Sequence, residues 1–208
     1  TSIVISVTGL HAQEGSVEAQ EQAKVTVDKR YQNEMKTLSE KPVIKSAFKF
    51  IMDLEPETHK NLITLNEIPA PPFKEEKRAE KFREIMKAIG ADSIWIDKAG
   101  NVLALIKGKS GKKTVILEAH LDTVFPEGTD VTVKQHGDTL KAPGIGDDTR
   151  GLAVVLAVMK SMKQAKVKTD ADILFAGVVG EEGLGDLRGV KQLFIDNKPK
   201  IDSYIAID

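Results

Sequence analysis

Four short motifs in the second half of the chain combine side chains that could bind metal and move protons. Histidine nitrogen and carboxylate oxygen are typical ligands of Zn²⁺, Mn²⁺ and Co²⁺. A carboxylate that binds no metal can serve instead as a general base. The motifs therefore point to metal-assisted chemistry. In chain order they are His120-Leu-Asp122, Gly146-Asp147-Asp148, Glu181-Glu182-Gly183 and the terminal Asp208.

The first two motifs, taken singly, also have structural explanations. His120 and Asp122 point to the same side of an extended segment, so Asp122 could fix the imidazole, with or without a metal. Asp147 or Asp148 could cap the helix that follows, because aspartate is a favoured N-cap residue. A carboxylate at this place could equally bridge two metal ions. Either motif alone leaves both explanations open.

The adjacent glutamates are harder to explain as structural residues. Glu181 and Glu182 stand between glycines, directly after an apolar run, whereas a solvated pair usually lies on an exposed helix face. Neighbouring side chains diverge at such a strand exit. One carboxylate could then bind a metal while the other faces a water molecule as general base.

The elements that must position these motifs alternate between strand and helix. Apolar runs at 114–119, 171–179 and 203–207 predict buried strands, and amphipathic segments at 150–165 and 187–196 predict helices between them. This order predicts an α/β fold with a mostly parallel sheet sandwiched by helices. Positions 120, 147, 182 and 208 are 27, 35 and 26 residues apart, about one strand–helix unit each. The four motifs should therefore meet at the carboxyl ends of the strands.

The first half of the chain predicts helices and one hairpin. Segments 43–66 and 73–88 carry apolar residues at helical spacing, the former interrupted by Pro56, and 94–97 with 102–107 predict a hairpin. We expect a polar linker or helix over residues 13–42. We expect the N-terminal part of a catalytic domain over residues 43–208. Residues 1–12 are uncharged apart from a histidine, as in the remnant of a secretory signal. Secreted or periplasmic location follows from that interpretation; an edge strand or frayed terminus in a cytoplasmic protein is the alternative.

Composition excludes several classes of protein. Lys and Arg total 30 against 31 for Asp and Glu, so there is no basic excess for nucleic acid. Cysteine is absent, which excludes cysteine nucleophiles and thiolate zinc sites. No apolar run approaches the ~20 residues of a membrane-spanning helix.

The three internal motifs, in this order, resemble those of the co-catalytic zinc exopeptidases and deacylases. That family includes peptidase T, glutamate carboxypeptidase, aminoacylase and succinyl-diaminopimelate desuccinylase. The similarity extends over residues 54–208 and includes the proline-rich segment 68–72.

The resemblance implies a role for each motif residue. His120 and Asp208 would bind one metal ion, Glu182 the other, and Asp147 would bridge both. Two divalent ions are implied, Zn²⁺ foremost, with Co²⁺ or Mn²⁺ as alternatives. Further implied features are Asp122 orienting His120, Glu181 as general base, and a cis peptide bond between Asp147 and Asp148.

The expected function is hydrolysis of a peptide or amide bond in a small peptide or N-acyl amino acid. A non-catalytic metal-binding homologue that retains the fold is the alternative. The family also has a last histidine ligand and a lid or dimerisation domain, neither of which occurs in these 208 residues. We therefore expect this fragment alone to be inactive, and a homodimer would form through the missing domain.

Overall fold

The computed structural model describes residues 27–197 and 200–208. The segment predicted as a signal remnant, 1–12, and the first part of the predicted linker lie outside these ranges. The helices are α1 Lys29–Ser39, α2 Pro42–Asp53, α3 Glu55–Asn66, α4 Glu76–Ile89, α5 Thr149–Gln164 and α6 Arg188–Asn197. The strands are β1 Ser93–Ile96, β2 Val102–Ile106, β3 Thr114–His120, β4 Lys134–His136, β5 Thr139–Lys141, β6 Asp172–Val178 and β7 Ile201–Ala206.

Five strands form the main sheet, in the order β1-β2-β6-β3-β7. Strands β6, β3 and β7 are parallel to one another, whereas the β1–β2 hairpin joins the edge of β6 in antiparallel orientation. The α/β class is therefore confirmed, with a mixed sheet whose parallel part is the one that the sequence predicts. Strands β4 and β5 form a separate two-stranded hairpin.

Helices cover the main sheet on both sides because its central strands are apolar on both faces. One core contains Phe82 and Met86 of α4 and Leu152, Leu156 and Met159 of α5, all essentially inaccessible to solvent. The second core lies under α6, whose Leu193 packs with β2, β3 and β6. Buried side chains on both sides explain why β3 and β6 are continuous apolar runs rather than alternating ones.

The observed boundaries lie close to those that the periodicity predicts. The segment 43–66 is two helices that meet at Leu54, with Pro56 at the start of the second, where proline is tolerated. The helix predicted from residue 73 begins only at Glu76, because Phe73 has a positive φ of 68°.

Helix α1 has no buried residue, in agreement with its polar sequence. No helix in the described ranges is long and apolar enough to span a membrane.

The topology brings the three parallel strands to a common edge. In the register of the sheet, His120 at the end of β3 pairs with Val178 at the end of β6, and Glu118 pairs with Ala206 at the end of β7. The segments that follow β3, β6 and β7 therefore leave the sheet side by side. All four motifs lie in or next to these segments.

Candidate metal centre

His120 ends β3 with its imidazole buried and fixed from one side. Its Nδ1 lies 2.9 Å from the backbone carbonyl oxygen of Asp122, while its Nε2 lies 2.9 Å from Oδ1 of Asp147. A carbonyl can only accept, so Nδ1–H donates to Asp122, while Nε2 faces the Asp147 carboxylate. With Nδ1 committed in this way, Nε2 is the nitrogen that could bind a metal ion in place of any proton it shares with Asp147.

Asp147 and Asp148 divide two tasks at the start of α5. The peptide bond between them is cis, as the resemblance implies. Asp148 is buried and caps the helix, accepting the Gly151 N–H at 2.8 Å and, with its other oxygen, the His120 N–H at 2.9 Å. Asp147 has a side chain that is 66% exposed. The capping explanation therefore applies to Asp148, and the Asp147 carboxylate is left available as a metal ligand.

The segment after β6 is held by the carboxylate of Asp122. This side chain is fully buried and accepts the backbone N–H groups of Glu181 at 3.0 Å and Glu182 at 2.9 Å. Its nearest oxygen is 3.7 Å from His120 Nδ1, farther than the Asp122 carbonyl. Asp122 therefore links the β3 and β6 exits, and it contacts the imidazole chiefly through its own carbonyl.

A tight turn at Gly180 aims this segment toward the site. Gly180 has φ +64°, and a Cβ at this position would lie 1.8 Å from Nη1 of Arg188. Arg188 is itself fixed, since its Nη2 contacts both oxygens of buried Glu75 at 2.8 Å. Only glycine fits both the conformation and the space.

Two groups of side chains offer ligand atoms within 4.8 Å of one another. One group is His120, Asp147 and Asp208, and the other is His120, Glu181 and Glu182. His120 belongs to both, so five of the six predicted site residues gather at the carboxyl edge, with Asp122 beneath them. One nitrogen and several carboxylate oxygens suit Zn²⁺ or a similar divalent ion.

The electrostatics of the site favour a bound cation. Burial and then the charge of Asp147 raise the pKa of Glu182 above its ordinary value. Burial lowers the pKa of His120, but the carboxylates around it, Asp148 and Asp122 foremost, raise it overall. Burial also raises the pKa of Asp148 to about 7. A divalent cation would relieve this repulsion among crowded carboxylates.

Two supporting residues were not predicted from the sequence. Arg78 of α4 is completely buried and donates to the carbonyl oxygens of Asn66, Ile68 and Leu121. It thereby fixes the exit of β3 between His120 and Asp122. Burial lowers the pKa of Arg78 to about 10 against the opposing effect of Asp122, so it stays charged at neutral pH. Its position in an amphipathic helix predicts an ordinary surface arginine.

Glu118 is the second unpredicted residue, two positions before His120 on the same face of β3. It is buried and accepts the Tyr204 hydroxyl at 2.8 Å. Burial raises the pKa of Glu118 to about 7, although the Tyr204 hydroxyl opposes this shift. A buried acid next to a ligand could have been suspected only from its place in an apolar strand.

Comparison with known proteins identifies the family. The profile described as Peptidase family M28 matches residues 101–208, just over half of the chain. The chain belongs to peptidase family M28. The co-catalytic metallopeptidase resemblance of the three motifs is therefore confirmed, and the matched M28 region contains all six predicted site residues.

Curated relatives of this M28 chain match it over part of their length. A protein from Pyrococcus abyssi, described as a LysW-lysine/LysW-ornithine hydrolase, is 34% identical over 127 residues, which are 61% of this chain and 34% of that protein. Carboxypeptidase G2 from a Pseudomonas species is 37% identical over 70 residues, which are 33% of this chain and 17% of the enzyme. The chain thus spans about a third or less of these two relatives.

Solved structures share the M28 chain's fold. A tripeptidase from Staphylococcus aureus superposes with a TM-score of 0.61 at 26% identity, over 74% of this chain and 43% of that one. Human carnosine dipeptidase 1 gives a TM-score of 0.66 at 15% identity, over 81% of this chain and 41% of that one, and shows the fold alone.

Proposed function

We propose that this protein is a metal-dependent hydrolase of peptide or amide bonds in small substrates, as an exopeptidase or an N-acyl amino acid deacylase. The observation that carries the proposal is the convergence of His120, Asp147, Glu182 and Asp208 around one edge, with Glu181 beside them. Membership of a peptidase family supports the reaction class.

The side chains fit a dinuclear centre. His120 and Asp208 would hold one divalent ion, Glu182 the other, and the exposed carboxylate of Asp147 would bridge them. When bound, such a pair polarises the scissile carbonyl and makes water a stronger nucleophile at neutral pH. Asp147 is the aspartate available for bridging, because its side chain is exposed beside His120, whereas the Asp148 carboxylate caps α5.

Glu181 is the group proposed to move the proton. It would accept a proton from the attacking water and return it to the leaving amine, so that both carbon–oxygen bond formation and carbon–nitrogen cleavage are assisted. The Glu181 backbone N–H is held by Asp122, which keeps the segment in place during these transfers. The backbone N–H of Glu182 is held by the same Asp122 carboxylate. The Glu182 side chain, in contrast to that of Glu181, is proposed to bind metal.

A cavity beside the proposed base suits a small substrate. It has a volume of about 190 Å³, and its lining includes the polar residues Glu181, His120 and Asp208 and the apolar residues Leu187, Val190 and Ile207. An apolar side chain of an amino acid could enter it while the scissile bond faces the carboxyl edge. The names of the relatives, a carboxypeptidase and a tripeptidase, are consistent with small peptide substrates.

Hydrolysis tests the proposal directly. The full-length protein should release amino acids from one or more members of a panel of dipeptides, tripeptides and N-acyl amino acids. Activity should disappear on incubation with EDTA and return with Zn²⁺, whereas EDTA already saturated with Zn²⁺ should have no effect. Turnover that is equally fast in both EDTA samples would contradict the proposal. That residues 1–208 alone are inactive stays a prediction, which the same assay can examine.

A further inference from the structure

A buried asparagine lies behind the two glutamates, on a different part of the chain. Asn101 closes the turn between β1 and β2 and is fully inaccessible to solvent. Its Nδ2 donates to Asp97 Oδ2 at 2.7 Å and to the Gly189 carbonyl oxygen at 2.8 Å. Its Oδ1 accepts the Val179 N–H at 3.0 Å. Both amide hydrogens and the amide oxygen are therefore in use.

The two distant partners of Asn101 are the two ends of the loop that carries Glu181 and Glu182. Val179 opens the loop after β6, and Gly189 closes it in the first turn of α6. These ends also contact each other, since the Gly189 N–H donates to the Val179 carbonyl oxygen at 3.0 Å. One side chain thus closes the base of the loop through two backbone groups, the Val179 N–H and the Gly189 carbonyl.

The packing at this junction is too tight for an added carbon atom. A Cβ at Gly189 would lie 2.3 Å from Asn101 Oδ1 and 2.5 Å from the Val179 carbonyl oxygen. Backbone and a fixed amide surround the position, so the loop would have to move. The two ends of the loop therefore pack directly against each other and against the Asn101 side chain.

The asparagine is itself held rigidly by its own turn. Asp97 Oδ1 accepts the backbone N–H groups of Ala99, Gly100 and Asn101 at 2.9, 3.1 and 3.0 Å. An aspartate at position 101 could not replace the amide, because it would face the Asp97 carboxylate and the Gly189 carbonyl without a donor. The loop is thus tied to a preformed turn of the neighbouring hairpin.

We infer that Asn101 is a positioning residue that orients Glu181 and Glu182 by closing the base of the 179–189 loop. The roles of the two glutamates rest on the proposed function, whereas the orientation of their backbone does not. Asp122 holds Glu181 and Glu182 near the start of the loop, and Asn101 holds its two ends. Loss of the second restraint should let Glu181 and Glu182 leave the positions in which their carboxylates reach His120.

Two variants disturb the junction by different routes. Asn101→Ala removes the three side-chain hydrogen bonds, whereas Gly189→Ala keeps the Asn101 amide but forces the loop away from it. Asp92→Ala is the matched control, because it removes a contact to the Lys107 N–H at the other end of the same hairpin and does not involve Asn101, Val179 or Gly189. Each variant of the full chain would be compared with wild type for thermal unfolding, amide hydrogen exchange of residues 179–189, and Co²⁺ affinity followed by visible absorption.

Asn101→Ala and Gly189→Ala should both speed exchange of the Glu181 and Glu182 amides and weaken Co²⁺ binding about 10–100-fold, as for other losses of support to metal ligands. Asp92→Ala should at most lower the unfolding temperature and should leave both other readouts near wild type. The inference is overturned if Co²⁺ affinity and loop exchange change only in proportion to lost stability in all three variants.

The exchange readout separates this inference from the proposed function. If wild type binds no Co²⁺, the proposed function fails, and exchange of the Glu181 and Glu182 amides still decides whether Asn101 positions them. If Asn101→Ala does not fold, Gly189→Ala carries the test, since it retains the Asn101 side chain and its contacts to the Asp97 turn. Unchanged loop exchange in a folded Gly189→Ala variant would then overturn the inference.

Discussion

Glu181→Gln should abolish turnover by the full-length protein while leaving its metal content close to that of wild type. The substitution removes the proposed base but no proposed ligand, and the Glu181 N–H to Asp122 contact does not involve the side chain. Loss of a general base typically lowers rate by about 10²–10⁴-fold. Steady-state kinetics and elemental analysis of the same preparation would measure both quantities.

Glu182→Gln is the matched comparison, one residue away on the same loop. Because Glu182 is a proposed ligand, this variant should lose both turnover and bound metal. Glu84→Gln, on the exposed face of α4, should change neither. Equal loss of metal in Glu181→Gln and Glu182→Gln would show that the assignment of base and ligand is wrong.

Asp122→Asn should weaken divalent metal binding about 10–100-fold without removing a ligand. An asparagine of the same shape can accept only one of the two N–H groups of Glu181 and Glu182, and its amide would face the other as a second donor. An unsatisfied buried donor costs about 1–3 kcal/mol, so the free energy of unfolding should also fall.

Co²⁺ titration and thermal unfolding would test the Asp122 prediction. Asp92→Asn is a suitable control because Asp92 also accepts a backbone N–H, from Lys107, but is exposed and lies at the opposite end of the sheet. Wild-type Co²⁺ affinity in Asp122→Asn would mean that the link between the β3 and β6 exits does not position the ligands.

The gathering of the motifs could be predicted from sequence because it depends on topology alone. Buried apolar runs identify β3 and β6, their parallel order follows from the helix between them, and ligands then lie at the carboxyl ends. No side-chain detail is needed to bring His120 near Glu181. The hairpin edge, by contrast, makes the sheet mixed, because β2 pairs with β6 in antiparallel orientation.

The partners of individual side chains were harder to predict. The period of two in a strand correctly predicts that His120 and Asp122 share a side, but it cannot show that two backbone N–H groups 59 and 60 residues away bind the Asp122 carboxylate. Asn101 contacts Gly189 across 88 residues. Local patterns carry no information about such contacts, and an asparagine after glycine predicts only a turn.

The metal content of the full-length protein, purified without chelator, is the most direct test of the dinuclear hydrolase. Elemental analysis should find two divalent ions per chain, Zn²⁺ foremost. Asp147→Ala, which removes the proposed bridge, should lower the content of both ions. Absence of bound transition metal in wild type, together with hydrolysis that EDTA does not inhibit, would contradict the account.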